Sequence, residues 1–263
     1  MPHRESYPQG VPCVASWVEL QTTDQEGAKA FYAALFGWEL DDEPLPIGGH
    51  STMARLDEGT VAAITPQPPG SPEGMPPVWF TYLAVDDLDA VLGKVAGAGG
   101  QVIAPAMQVM DNGSMAIVAD PTGGVVGLWQ ANQHRGAGTV NQPEALLWNE
   151  LITPEPERAA TFYDAILGTT HETSPMGDGD LYTVLEVDGR AVAGAMALPE
   201  DAGVPPAWTV YVATDDIAAT VAAAKQLGAT LHDQVDSPAG PLAVMSDPQG
   251  AVFQVMQPTE WPD

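Results

Sequence analysis

The sequence predicts an α+β protein of two tandem domains, each built from two βαβββ modules. Three observations carry that expectation. Trp17-Val18-Glu19-Leu20 returns as Trp148-Asn149-Glu150-Leu151, 131 residues later (148 less 17). Asp120-Pro121-Thr122-Gly123 returns as Asp247-Pro248-Gln249-Gly250, 127 residues later (247 less 120). An offset that drifts this little over a whole copy marks a tandem duplication. Within each copy the order strand, helix, strands occurs twice. Finally, 263 residues of which 45% are hydrophobic suffice for two ordinary cores.

The elements follow in order. Trp17–Gln21 alternates apolar and polar residues and suits a strand. Thr23-Asp24-Gln25-Glu26 is a capping-box pattern, with Thr23 and Glu26 satisfying the free amides of a helix start. Ala28, Phe31, Tyr32, Leu35 and Phe36 form one apolar stripe, and Gly37 stops the helix. In the second copy Thr153-Pro154 is the expected start, with proline at the first helical position, and Gly168 the stop. Strands are expected at Ser51–Leu56 and Val61–Thr65, turning at Asp57-Glu58-Gly59. The second module repeats the order: strand Trp79–Val85, helix Leu88–Ala96, then strands Gln101–Ala104, Met115–Ala119 and Val125–Gln130. Pro-rich segments 66–77 and 199–206 read as stiff surface crossovers between modules. The join between copies falls in Ala131–Pro143, rich in Gly, Asn and Gln, and divides the chain into domains 1–135 and 136–263.

Composition narrows the function. Acidic residues outnumber basic ones 35 to 8, for a net charge of −27. Such a surface repels phosphate backbones and anionic lipid, so neither nucleic acid nor membrane is an expected partner, and cationic ligands are favoured. No apolar run approaches a membrane span, and Met1–Ser6 open no signal-type stretch, so the expected location is cytoplasmic. The single cysteine, Cys13, excludes an intramolecular disulfide or a thiolate-rich zinc site and is read as a small apolar residue entering a strand.

The phrases quoted above also carry a resemblance. A strand followed by Thr-Thr-Asp at 22–24, the Ala30-Phe31-Tyr32 helix ending at Gly37, Val85-Asp86-Asp87-Leu88, and Asp120-Pro121-x-Gly resemble the modules of the vicinal-oxygen-chelate superfamily of glyoxalases, bleomycin-resistance proteins and extradiol dioxygenases. The likeness spans nearly the whole chain, twice, and is nearest to actinobacterial tandem-domain proteins of the glyoxalase-like or hydroxylase branch. It implies that each pair of modules curls its sheet into a cup, with metal ligands projecting inward from the first strand, the first hairpin, the fifth strand and the last strand. Those positions fall at Trp17 and Trp148, near Phe80 and Thr209, and at Gly127 and Gln254; the hairpin strands Val61–Thr65 and Ala191–Ala197 hold no carboxylate. A divalent cation needs three or more converging N, O or S donors. Neither a metal nor another cofactor is therefore expected. His3, His50, His134, His171 and His232 sit off the ligand positions and read as solvent-facing or hydrogen-bonded loop residues.

What the cups hold instead follows from strand alternation. Trp17, Glu19, Gln21, Phe80, Tyr82, Gly127 and Trp129 should line the first. Trp148, Glu150, Thr209, Tyr211, Gln254 and Met256 should line the second. A one-residue slip would bring Trp79 and Trp208 inward instead. Aromatic walls around one acid suit a flat organic ligand. The blander alternative is core packing, with Glu19 and Glu150 bonded to a backbone amide or to Arg55 or Arg190. The expected function is metal-free binding or sequestration of a small aromatic or hydrophobic molecule, antibiotic-like ones included. The alternatives are a glyoxalase-like lyase, or a hydroxylase or oxygenase of aromatic polyketides or reactive carbonyls, with Glu19 or Glu150 as acid/base, or a structural antigen. The expected assembly is a monomer whose domains mimic the family's dimer, with a homodimer as the alternative.

Overall fold

The computed structural model describes residues 15–261 except 46–47, 73, 177–179 and 200–201, which leaves Cys13 and His3 outside it. The first copy runs β1 (Ala15–Thr22), α1 (Gln25–Phe36), β2 (Glu39–Pro44), β3 (His50–Leu56) and β4 (Gly59–Pro66). Its second module is β5 (Val78–Ala84), α2 (Leu88–Val95), β6 (Gln101–Val109), β7 (Gly113–Ala119) and β8 (Val125–Ala131). The second copy begins with β9 (Leu146–Thr153), α3 (Pro156–Leu167), β10 (Thr170–Met176), β11 (Asp180–Val187) and β12 (Arg190–Ala197). It ends with β13 (Ala207–Ala213), α4 (Ile217–Gln226), β14 (Thr230–Ser237), β15 (Gly240–Ser246) and β16 (Val252–Met256). The chain is α+β, with the predicted βαβββ unit present four times.

Each copy forms one eight-stranded sheet, ordered β2-β3-β4-β1-β5-β8-β7-β6 and β10-β11-β12-β9-β13-β16-β15-β14. The first strands of paired modules meet antiparallel at the centre, β1 with β5 and β9 with β13, and each is flanked by the parallel last strand of its own module. Trp17 stands opposite Tyr82 and Glu19 opposite Phe80, so these residues share the face away from the helices. Trp79 and Trp208 lie on the helix side, where both are buried.

Helix boundaries differ from the sequence expectation by small amounts with clear causes. Asp24, not Thr23, caps α1: its carboxylate accepts from the Gly27 amide at 3.0 Å, while the Thr22 hydroxyl accepts from the Asp24 amide. The first proline of α3 is Pro156, not Pro154, because the chain stays extended through Glu155. Gly37 and Gly168 end α1 and α3 in the left-handed region at φ 69° and 82°, where glycine carries no steric cost. The acidic edge strand β2 has no apolar alternation to announce it, and four of its six residues in a row are exposed.

The hydrophobic interior is shared between copies. One core joins α1 and its strands to the fourth module: Phe31, Tyr32 and Phe36 pack with Phe253, Met245, Val221 and Ala224. The other joins the second and third modules: Val91 and Val95 of α2 pack with Phe162, Tyr163 and Ile166 of α3. Two matching polar chains cross the interface. Trp79 Nε1 donates to the Tyr32 hydroxyl at 2.9 Å, which donates to Asp247 at 3.0 Å. Trp208 Nε1 donates to Tyr163 at 3.1 Å, which donates to Asp120 at 3.1 Å. The two domains therefore pack helix-side to helix-side, and the cup faces point away from each other. Among the described residues no helix is long and apolar enough to cross a membrane.

The segment expected as a plain linker is bound along most of its length. Past β8, the amides of Asn132 and His134 donate to the Asn112 carbonyl. Ala137 donates to the Ser16 carbonyl, and Gly138 and Thr139 to that of Thr60. This strap thus runs along one end of the first sheet, from the β6–β7 turn to the β3–β4 hairpin.

Candidate functional site: two aromatic cups

In the first cup the central row is Trp17, Tyr82 and Gly127, registered across β1, β5 and β8. The adjoining row is Ala63, Glu19 and Phe80. Directly opposed residues on one face bring their side chains into contact. Tyr82 meets Phe80 edge-on at 5.2 Å and Trp129 at 6.4 Å, forming an aromatic wall. Glu19 is half-buried; Gln21 Nε2 donates to it at 3.2 Å and Thr65 also bonds it. Burial pushes the Glu19 carboxyl above the usual carboxylate range, against the pull of those two bonds. Burial and the Glu19 charge together push the Tyr82 phenol well up.

The second cup keeps the plan with different furniture. Trp148, Tyr211 and Gln254 form the central row, and Gly194, Glu150 and Thr209 the adjoining one. Glu150 is only 3% exposed and accepts from the Tyr211 hydroxyl at 2.7 Å; Tyr182 bonds it as well. Trp148 Nε1 in turn donates to Tyr182 at 2.9 Å, and Gln254 Nε2 reaches Thr209 at 3.4 Å. Burial raises the Glu150 carboxyl despite both phenols. Met256 packs with Leu147, Tyr211 and Trp261.

Neither glutamate meets the arginine considered from sequence: Arg55 pairs with Asp41 at 2.9 Å, and Arg190 lies exposed. Of the histidines, His171 bonds Asp164 at 2.6 Å, His232 bonds Ser246 at 2.9 Å, and His50 lies 3.6 Å from Asp42. His134 lies in a loop and is hydrogen-bonded through its backbone, the second of the two expected readings, but its ring is turned away from solvent. Its ring packs edge-on against Trp17 at 4.4 Å and faces Trp129 at 5.8 Å, and Trp129 Nε1 donates to its carbonyl. Burial lowers its pKa. Sequence reasoning stopped the repeat at the last strand and so missed this residue. The signal lay four positions further on: Gln130 and Gln257 each accept from the first amide of a helix, α2 and α4, and the same offset carries His134 onto Trp261.

The family's metal does not fit these residues. Glu19 is the sole acid of the first cup's central rows, Glu150 that of the second, and no group of three His, Cys, Asp or Glu side chains converges among the described residues. The room is also taken. A side chain at Gly127 would run into the Tyr82 ring, and one at Gly194 into the Tyr182 hydroxyl. Trp17, Tyr82, Trp129 and Tyr211 are buried in the core, whereas Phe80, Trp148 and Glu19 are only part-buried, so the cups offer aromatic edges and, in the first, a carboxyl raised by burial.

Fold and site together define a tandem two-cup scaffold of the metal-chelating type whose ligand positions hold aromatic and small residues. Residues 15–127 match the family described as the glyoxalase/bleomycin resistance protein/dioxygenase superfamily, and residues 149–256 match the glyoxalase-like domain. The chain belongs to this superfamily. It is 51% identical over 261 residues, 98% of each chain, to the putative glyoxylase CFP32 of Mycobacterium tuberculosis and of Mycobacterium bovis. It is 34% identical over 259 residues, 94% of each chain, to the anthracycline biosynthesis protein DnrV of Streptomyces peucetius. Its fold is similar to the Mn(II)-bound glyoxalase of Novosphingobium aromaticivorans, with TM-score 0.65, 17% identity, and 96% and 85% of the two chains covered. The 2,3-dioxygenase LapB of Pseudomonas sp. KL28 is similar at TM-score 0.66 and 15% identity, covering 96% and 95%.

Proposed function

We propose that this chain is a metal-free binding protein for a small, flat aromatic or hydrophobic molecule bearing a hydrogen-bond donor or positive charge. What supports the reading is that the positions which the resemblance assigns to metal ligands hold Trp, Phe, Thr, Gly or Gln, with aromatic rings around them and a glutamate beside them, half-buried in the first cup and buried in the second. The name of the relative DnrV supports a fused-ring ligand of the anthracycline kind. The net charge of −27 supports a cationic or donor group on it.

A second reading is favoured by the carboxyls themselves. Glu19 and Glu150 are raised by burial, the condition of a general acid/base, and the name glyoxylase on two relatives supports a lyase. Elemental analysis, native mass spectrometry and a tryptophan-fluorescence titration with an anthracycline test both. The expected result is no stoichiometric metal, saturable quenching, and about tenfold weaker binding for Glu19→Gln, the worth of a charged hydrogen bond. An aromatic lacking a donor should bind the variant and wild type alike. About one zinc, nickel or iron per domain, with activity lost on chelation, would overturn the reading. Turnover of the titrated compound would favour the enzyme.

A further inference from the structure

Both cups hold the same carboxyl and treat it differently. In the second, Glu150 is only 3% exposed. Tyr182, on β11, reaches over Gly194 on β12, and its hydroxyl accepts the Trp148 indole N–H at 2.9 Å and donates to Glu150. Tyr211 donates to the same carboxylate at 2.7 Å. Gly194, registered beside Glu150, makes this possible, because a side chain there would run into the Tyr182 hydroxyl. A phenol from the chain itself thus shuts the second cup.

The offset of 131 residues that relates Glu150 to Glu19 also relates Tyr182 to Ser51 (182 less 51) and Gly194 to Ala63 (194 less 63). Strand register agrees: Met53, Ala63, Glu19 and Phe80 form one row, as Val184, Gly194, Glu150 and Thr209 do in the other copy. Serine brings no ring to cover the carboxyl. Glu19 is left half-buried, and Ser51, Met53 and Phe80 on its face are part-exposed as well. Among the described residues Gln21 and Thr65 are its hydrogen-bond partners, while Tyr82, the counterpart of Tyr211, senses only its charge. A carboxylate accepts about four hydrogen bonds, so Glu19 keeps capacity for an incoming donor. This row stands one step along the strands from Trp17, whose ring the strap covers.

Resting on the binding function proposed above, we propose that the first cup binds one phenol per chain on its Met53–Glu19–Phe80 row, and that Tyr182 is the built-in equivalent of that ligand, keeping the second cup closed. The ligand's ring lies over Met53 and against the edge of Phe80, and its hydroxyl donates to Glu19 as the Tyr182 hydroxyl donates to Glu150. The Ala63 methyl stands where that hydroxyl stands in the other copy, so the ligand reaches the carboxylate from the Phe80 side. A flat ring without a donor gains the apolar contact alone and is selected against.

The test uses the full chain, with 2-hydroxyanthraquinone as probe and its methyl ether as the donor-free control. Calorimetric titration should give one equivalent of the phenol per chain, with the ether bound about tenfold more weakly. In protein carrying carbon-13 methionine methyls, saturation should shift the Met53 resonance and leave Met196, registered beside Tyr182, in place. That reading depends on no variant. Installing the second cup's pair in the first, Ser51→Tyr with Ala63→Gly, should weaken binding about tenfold or more. The reverse exchange, Tyr182→Ser with Gly194→Ala, should admit a second equivalent; circular dichroism checks that both variants fold. Two equivalents in the wild type, equal affinity for phenol and ether, or a shift at Met196 instead of Met53 would each overturn this inference and leave the binding of flat aromatics standing. So would wild-type affinity in the first folded variant or a single equivalent in the second. Saturable binding of neither compound would also overturn it, and would remove the binding function as well if the anthracycline titration failed too.

Discussion

Glu150 shows what a carboxyl does when burial and hydrogen bonding pull against each other. Burial wins, so the folded-state pKa lies above that of the unfolded chain. The folded protein then holds a proton that the unfolded chain has already released, and stability falls as pH rises across that window. The contribution is full below the unfolded value, about 4.3 for glutamate, and is lost as pH passes the folded one. Urea unfolding of Glu150→Gln at a series of pH values should show a shallower downward slope, the remainder coming from Glu19 and Asp247, which burial also raises; a slope equal to wild type would assign it wholly to those groups. Tyr32 and Tyr163 give a second test at this scale. Each hydroxyl joins an indole to an aspartate of the other domain, so Tyr32→Phe leaves Asp247 and Trp79 one partner short at once. The expected loss is about 1–3 kcal/mol, similar in Tyr163→Phe, measurable by chemical denaturation. The face assignment of Trp17, Glu19, Phe80 and Tyr82 was legible from alternation, because a strand's side-chain period is fixed at two. The partners of the glutamates were not: nothing local to Glu150 announces Tyr182 or Tyr211, which arrive through strand pairing.

At the scale of elements, helices and hairpins were more legible than their ends and edges. The apolar stripe of α1 and the stops at Gly37 and Gly168 follow from local chemistry. Thr23 heads the capping-box pattern, but Asp24 takes the role: the Thr22 hydroxyl accepts from the Asp24 amide, and the Asp24 carboxylate accepts from the Gly27 amide. That the linker is pinned as a strap was not legible, because turn-forming residues give the same signal whether they float or are bound. Gly136 reveals the pinning: it sits at φ 111°, and a side chain there would meet the Ser16 carbonyl. Gly136→Ala should cost more than about 1 kcal/mol and should expose Trp17 and Trp129 to an aqueous quencher. Unchanged stability and quenching would mean that the strap is not what holds His134 against the indoles.

At the scale of the whole molecule, the duplication was plain in the sequence while the way the copies share their interiors was not. Internal repeats report which segments are alike, not which of them touch. Because Phe31 packs on Phe253 and Val95 packs in the same core as Phe162, neither copy encloses its own helices. Residues 1–135 and 136–263 expressed separately should aggregate or pair, and should recover a monomeric, native-like complex when co-expressed, as read by light scattering and circular dichroism. Two stable, independent monomers would contradict the shared cores.

That sharing also orders events in time. The core between the second and third modules is built from segments close together along the chain, whereas the core between the first and fourth joins the two ends. Closing a long loop costs more chain entropy than closing a short one, and contacts distant in sequence form later. A ribosome delivering this protein would thus release α1 well before Phe253 exists to cover it. The middle of the chain should acquire protection from hydrogen exchange first, and the amino-terminal helix should wait, with its aromatic stripe exposed, for the last residues to arrive.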